Sequence, residues 1–363
     1  MEVKTNISTA SKHRITEYDI IKGVCILFAC ISHTGHCVYF WEYGFLFAFF
    51  FVSGATFRRK PFWMFLKGKL LRIYVPFVLA NFVGYFIGRY FYGLSGHGGY
   101  AYTLKEAAMR ILSFQIAENI MSPSWFMLPL FLVTLVFWLL HTVLEKVKRR
   151  DEMILGMTFL LFLAGLFFRE QISAFEWNKC AVLYSLTCAP FFCALGYWYH
   201  NYPELTRKII AGKFSAEIFV LVLLLMTEIW SHYEYSLNVR YGETSSAKLT
   251  VVLSIMCVYA IVYLARCIDG MQILKNIFCF LGKHSMAIMM FHVVSFSAVT
   301  FALHFALGWE YPTTWTFAYF SEKIAYANTV AGCLIPAVVA EGFSLMKAKC
   351  LKLRKHEDKC MKI

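Results

Sequence analysis

The chain has 363 residues, 59% of them hydrophobic and 16% charged, well below the roughly 25% charged content of soluble domains. That composition excludes disorder and an ordinary cytosolic enzyme. The net charge of +13 comes from 35 Lys and Arg against 22 Asp and Glu. It is spread over short hydrophilic segments between apolar blocks, none long enough to build a nucleic-acid groove, so it reads as charge that sets membrane topology.

In chain order, residues 1–19 are polar and lack an apolar core, so no cleavable signal peptide is expected. Apolar blocks then predict spans near 20–41, 43–57, 70–94, 124–143, 153–168, 181–200, 214–231, 248–266, 284–307 and 323–346, to be compared with the ~20 residues a membrane helix needs. The second and fifth are short and are expected to tilt, to borrow flanking residues or to be partly re-entrant. The expected fold is all-α: a polytopic bundle of ten transmembrane helices over 20–346, preceded by a cytoplasmic segment 1–19 and followed by a basic tail 347–363. No repeat and no Gly/Pro/Ser-rich linker divides it.

With the N-terminus inside, Lys4, Lys12, Arg14, Arg58, Arg59, Lys60, Lys67, Lys69, Lys146, Lys148, Arg149 and Arg150 fall on the cytoplasmic side, as do Arg207, Lys208, Lys213, Arg266, Lys275 and the tail. Only Lys105, Arg110, Arg169, Lys179, Arg240, Lys248 and Lys323 fall opposite. The asymmetry predicts an even number of crossings with both termini inside. Between the third and fourth spans, Thr103 and Glu106 have the spacing of a capping box that would open an amphipathic surface helix, with a plain loop as the other reading. Of the twelve cysteines, Cys25, Cys30, Cys37, Cys188, Cys193, Cys257, Cys279 and Cys333 lie in apolar stretches and read as buried thiols; Cys350, His356 and Cys360 in the Lys-rich tail lack zinc-ligand spacing, and no metal or disulfide is assigned.

The first span is the most informative. Lys22 and His33 are separated by ten residues, three helical turns, so they share a face about 16 Å apart along the axis. Lys22 reads either as a ligand-binding cation or as an interfacial anchor, with Asp19 one turn earlier as a pairing partner. His33, deep in the bilayer, reads as a functional group or as one end of an interhelical hydrogen bond. In the ninth span Ser285 and His292 share a face two turns apart; His292 is a partner for His33, a substrate ligand or a packing residue. After the second span come Arg58, Arg59, Lys60, Lys67, Lys69 and Arg72, a run suited to a polyanionic ligand as well as to topology and anionic lipid. Arg72, inside an apolar run just before Pro76, is the member topology explains least.

These elements together resemble acyltransferase family 3, the integral membrane acyltransferases, particularly the bacterial sugar O-acetyltransferases of the fucose-4-O-acetylase-like branch. The resemblance covers roughly 17–346. It rests on Asp19-Ile20-Ile21-Lys22-Gly23, the basic residue and His33 ten residues apart, Phe50-Phe51-Val52-Ser53-Gly54, Arg72 to Pro76, Ser124-Trp125-Phe126, and Gly282, Ser285 and His292 in series. It implies transfer of an acyl group, usually acetyl, from cytosolic acetyl-CoA to a hydroxyl of a glycan or lipid-linked sugar at a bacterial inner membrane, without a metal. Lys22 and Arg72, with Lys69 and Arg58, would hold the anionic coenzyme A. His33 would act as general base or as the site of a transient acyl-imidazole, with His292 beside it and Asp19, Ser53, Ser285 and Trp125 as support. Many members carry Arg where this chain has Lys22, which keeps the charge but loses the planar bidentate fork. The reading from another class is a transporter or flippase for glycans or lipid-linked sugars, which would need no alignment of Lys22 with His33.

Overall fold

The computed structural model describes residues 16–34, 43–95, 102–233, 235–312, 318 and 320–360. It is a helical bundle in which every predicted span contains a helix. In chain order these are α1 (Thr16–Ser32), α2 (Phe47–Ala55), α3 (Phe62–Lys69), α4 (Val75–Ser95), α5 (Leu104–Leu112), α6 (Met127–Val143), α7 (Arg150–Phe167) and the short α8 (Arg169–Ser173). Then follow α9 (Trp177–Asn201), α10 (Pro203–Ile210), α11 (Ser215–His232), α12 (Ala247–Asp269), α13 (Gln272–Lys283), α14 (Ser285–Leu307) and α15 (Glu322–Cys360). A two-residue hairpin, β1 (Leu237–Asn238) with β2 (Glu243–Thr244), joins α11 to α12.

Seven helices among the described residues are long and apolar enough to cross a membrane. The stretches corresponding to α1, α2 and α7 are not among those seven, because α1 has 17 residues, α2 has 9, and α7 opens on Arg150, Asp151 and Glu152. All three are nevertheless built into the bundle. α1 packs against α2, α12, α13, α14 and α15, while α9 gathers α2, α6 and α7. Two groups of helices thus meet along α1 and α2. Glycines set the closest approaches. A Cβ on Gly23 would meet the carbonyl oxygen of Phe278 at 2.2 Å, and one on Gly54 would meet that of Cys193 at 1.8 Å, so the helix backbones nearly touch as membrane packing allows with small residues.

Three local departures from the expected spans have identifiable causes. The first helix stops at Ser32 rather than near residue 41. Ser32 Oγ donates to the Ala29 carbonyl at 2.9 Å and Thr34 Oγ1 to the Ile31 carbonyl at 2.9 Å, while the His33 and Thr34 amides reach back only three residues. Hydroxyl groups and a tightened last turn thereby satisfy terminal carbonyls. The remainder of that predicted span, 35–41, lies outside the described residues. The third span begins early: α3 runs into α4 through a π turn, Leu70–Tyr74, in which the Val75 amide bonds the Leu70 carbonyl. Pro76 has no N–H to offer the Arg72 carbonyl, and the wider turn accommodates that gap. The fourth span opens as a 3-10 segment, Asn119–Phe126, containing Pro123 and packed on α14 and α4. The capping box forms as its spacing suggests: the Glu106 amide donates to Thr103 Oγ1 at 3.3 Å, the Thr103 amide to Glu106 Oε2 at 2.7 Å, and α5 follows.

One end of the bundle is tied by polar contacts. Arg266 Nε donates to Glu17 Oε1 at 3.0 Å and lies 3.1 Å from the Tyr199 hydroxyl, which also bonds Glu17. Arg59 pairs with Glu145, Trp198 Nε1 donates to the Asp151 carbonyl at 3.1 Å, and Trp138 Nε1 to that of Lys60 at 2.9 Å. The opposite end carries His33, α5 and the β hairpin.

Candidate active site

His33 and His292 come together although 259 positions separate them in the chain; their ring centroids are 5.2 Å apart with 34° between the planes. α1 delivers His33 just past its terminal turn and α14 delivers His292 from its third turn, the two helices being in contact. The rings are not equivalent. His292 is 0% exposed. Its Nδ1 lies 2.9 Å from the Ile288 carbonyl oxygen; since a carbonyl only accepts, Nδ1 carries the proton and Nε2 presents a lone pair. That Nε2 is buried with no hydrogen-bond partner, an unusual state for a nitrogen in an interior. His33, by contrast, is enclosed by protein on most sides yet keeps an exposed side chain.

The surroundings are made by α15. Thr329 Oγ1 is 3.5 Å from Thr34 Oγ1. Gly332 lies against His292, where a Cβ would meet Phe296 Cε1 at 2.6 Å and the His292 Cβ at 3.3 Å, so a small residue there lets α15 close over the imidazole. The positive charge of Arg240, on the turn of the β hairpin, acts on the His33 ring. Nothing in the local sequence around Arg240 signals this; the one hint is that it stands on the side otherwise poor in basic residues.

The remaining expected residues divide into groups. Lys22 Nζ is 2.7 Å from Asp19 Oδ1, the partly exposed cation against a carboxylate that is buried. Lys69, Arg72 and Arg58 lie toward the same polar end but on the other helix group. Arg58 and Arg72 are exposed, and Lys69 Nζ sits 5.4 Å from the Phe65 ring centre. The π turn that carries Arg72 packs on α6. Lys22 and these three cations therefore stand on different helices, and α1 runs from Lys22 to the histidine pair. Ser53 Oγ donates to the Phe49 carbonyl at 2.9 Å, within its own helix. Ser285 is the first residue of α14, two turns below His292. Trp125 lines an apolar hollow of ≈ 430 Å³ with Phe114, Ile116, Leu128 and Phe175, a lining that includes neither histidine.

A family model described as an acyltransferase domain matches residues 15–321, from the start of α1 to the threshold of α15. The chain belongs to acyltransferase family 3. Comparison with curated proteins finds no match, and comparison with solved structures finds none either. The protein is an acyltransferase built as an all-α membrane bundle, and its histidine pair lies inside the matched region.

Proposed function

We propose that this acyltransferase carries acetyl from acetyl-CoA to a hydroxyl of a cell-envelope or exported glycan, across a bacterial inner membrane with both termini in the cytoplasm. The observation that carries this reading is the juxtaposition of an open His33 with a buried, tautomer-fixed His292 at one end of α1. The other end of that helix carries Lys22 beside Asp19.

In this reading the nucleotide and phosphates of coenzyme A stay at the basic end, where Lys22, Lys69, Arg72 and Arg58 supply charge. The thin pantetheine arm follows α1 for the roughly 16 Å between Lys22 and His33 and brings the thioester to the histidines. The acceptor enters from the His33 side. His33 takes the proton of the acceptor hydroxyl as its oxygen attacks the thioester carbonyl. Collapse of the adduct breaks the carbon–sulfur bond, and the leaving thiolate recovers the proton from His33. His33 follows the last turn of α1, where a helix C-terminus favours the positive charge of the imidazolium formed in between. A small rotation of the His33 ring would let the unpartnered lone pair on His292 Nε2 accept a hydrogen bond from its N–H, leaving the other ring nitrogen as the base.

The test uses purified protein in nanodiscs, acetyl-CoA labelled in the acetyl group, and a panel of lipid-linked and free oligosaccharide acceptors. Label is expected in an alkali-labile ester on at least one acceptor, and none with His33→Gln. Failure of the wild-type protein to bind acetyl-CoA, or transport of a sugar without acyl transfer, would overturn the reading.

A further inference from the structure

The apolar hollow of ≈ 430 Å³ beside Trp125 takes no part in the transfer chemistry, yet it has the size of a small-molecule site. One wall is the turn that follows α5. The Tyr74 hydroxyl donates to the Leu112 carbonyl at 2.7 Å, and the Phe114 ring centre lies 4.6 Å from that of Phe77 and 5.7 Å from that of Phe131. Phe77 stands at the middle of the continuous apolar stretch Phe62–Gly93, so the turn is held at membrane depth. Its backbone is fixed: Phe114 has φ 63°, a conformation that a bulky side chain rarely adopts, and the Gln115 amide donates to the Arg110 carbonyl at 2.8 Å. The other walls come from around the starts of α6 and α9, with Trp125 and Leu128 on one side and Phe175 and Lys179 on the other.

Three polar residues join this apolar lining. Ser113 and Gln115 are exposed, and their side chains have no hydrogen-bond partner among the described residues. Lys179 Nζ is 3.6 Å from Glu176, with 67% and 78% of the two side chains exposed. A pair that loose is no hydrogen bond and contributes little, so the ammonium keeps its donors. A hydroxyl, an amide and an ammonium can all donate, and polar groups at membrane depth are functional candidates by default. A hydrocarbon chain alone leaves these donors unanswered. A chain ending in a phosphate answers both halves of the site, its tail against the aromatic and aliphatic walls and its oxygens at the donors. Lys179 falls on the side opposite the cytosol, the side from which the acceptor enters. The 3-10 segment carrying Trp125 packs on α14, the helix of His292; since neither histidine lines the hollow, it suits the carrier and not the sugar. We propose that the hollow binds the isoprenoid chain and phosphate of a polyprenyl-phosphate-linked glycan, which makes the acceptor a lipid-linked one. The inference rests on the transfer reading given above.

The test uses the full chain in phosphatidylcholine nanodiscs and a farnesyl phosphate analogue with a photoreactive group on its chain. Cross-linked peptides are mapped by mass spectrometry, with farnesyl phosphate, farnesol and phosphatidylglycerol as competitors. Cross-links are expected on Trp125 or Leu128, removed by farnesyl phosphate at concentrations where phosphatidylglycerol leaves them intact. Farnesol should compete about tenfold less well. The exposed double variant Gln115→Ala with Lys179→Gln should lose about tenfold or more in farnesyl phosphate affinity, with melting temperature and acetyl-CoA affinity unchanged. Equal competition by phosphatidylglycerol would mean that ordinary lipid fills the hollow and would overturn the proposal. So would cross-links confined to other regions, or full affinity in the double variant. The transfer reading fails separately: protein that cross-links in the hollow but does not bind acetyl-CoA loses that reading alone. Protein that acetylates a free oligosaccharide and shows no cross-link in the hollow loses this proposal alone.

Discussion

His33 combines two features that pull in opposite directions: it is packed about by protein, and its side chain is exposed. A packing histidine needs only the first. Replacement by Gln keeps much of the size and hydrogen bonding but cannot take a proton at neutral pH, so transfer is expected to fall about a hundredfold or more while acetyl-CoA still binds. Near-normal turnover in folded His33→Gln protein returns the residue to packing. His292→Asn separates position from chemistry, since the Asn amide can still donate to the Ile288 carbonyl but offers no acceptor where Nε2 stood. Turnover is expected to drop by up to about a hundredfold, from misorientation of His33, with little change in acetyl-CoA affinity. Glu118 makes a prediction about stability. It is 1% exposed and neither carboxylate oxygen has a partner; burial pushes its pKa up from 4.5 to about 8, against a smaller opposing pull from Arg89. A carboxyl whose folded pKa is raised holds its proton more tightly folded than unfolded. Its contribution is therefore full below pH 4.5 and is lost as pH rises through about 8. Thermal scans in detergent should show Glu118→Gln removing that decline and melting higher than wild type above pH 8; parallel pH profiles would disprove the assignment.

Helix contacts in this protein depend on where glycine stands. A methyl group on Gly54 would fall 1.8 Å from the Cys193 carbonyl oxygen, and one on Gly282 the same distance from that of Asp19; backbone cannot yield as a side-chain tip can. Gly54→Ala should force α2 off α9 and cost at least the 1–3 kcal/mol or so typical of overpacking, read as a lowered melting temperature. Gly68, which has open space where a methyl group would stand, supplies the control: Gly68→Ala should leave stability unchanged or slightly raised. Much at this scale is legible in the sequence. The Thr103–Glu106 box and the ten apolar blocks are local patterns, and local patterns survive folding. The end of α1 is not, because the apolar run continues to residue 41 while Ser32 and Thr34 turn their hydroxyl groups back onto the helix carbonyls. Hydropathy carries no record of that. Nor does it separate α13 from its neighbours or foresee the π turn, although Pro76 stands in plain view. Of the site, the helical spacing of Lys22 and His33 can be counted, and His292 can be named as a partner; the charge of Arg240 acting on His33 cannot, because it comes from a turn over two hundred residues further along the chain.

For the molecule as a whole, the basic residues predict that the end bearing Glu17, Arg59, Tyr199 and Arg266 faces the cytosol. Single cysteines introduced into a cysteine-free background should label from inside at Arg59 and Lys275 and from outside at Lys105 and Lys248; outside labelling at Lys275 would invert the arrangement. Donor contacts are then expected on the inner face. Lys22→Ala and Arg72→Ala should each weaken acetyl-CoA binding without lowering the melting temperature in proportion, and Lys22→Arg should restore it. The family's region ends at residue 321, yet α15, beyond it, closes over His292 through Gly332; truncation before α15 should therefore abolish turnover. The shortness of α1 has a physical consequence. Seventeen residues rise about 25 Å, less than the roughly 30 Å hydrocarbon thickness of a bilayer. In the proposed reading, an acetyl group would need to travel only about the length of a pantetheine arm along this helix, and the charged donor would stay in its own compartment.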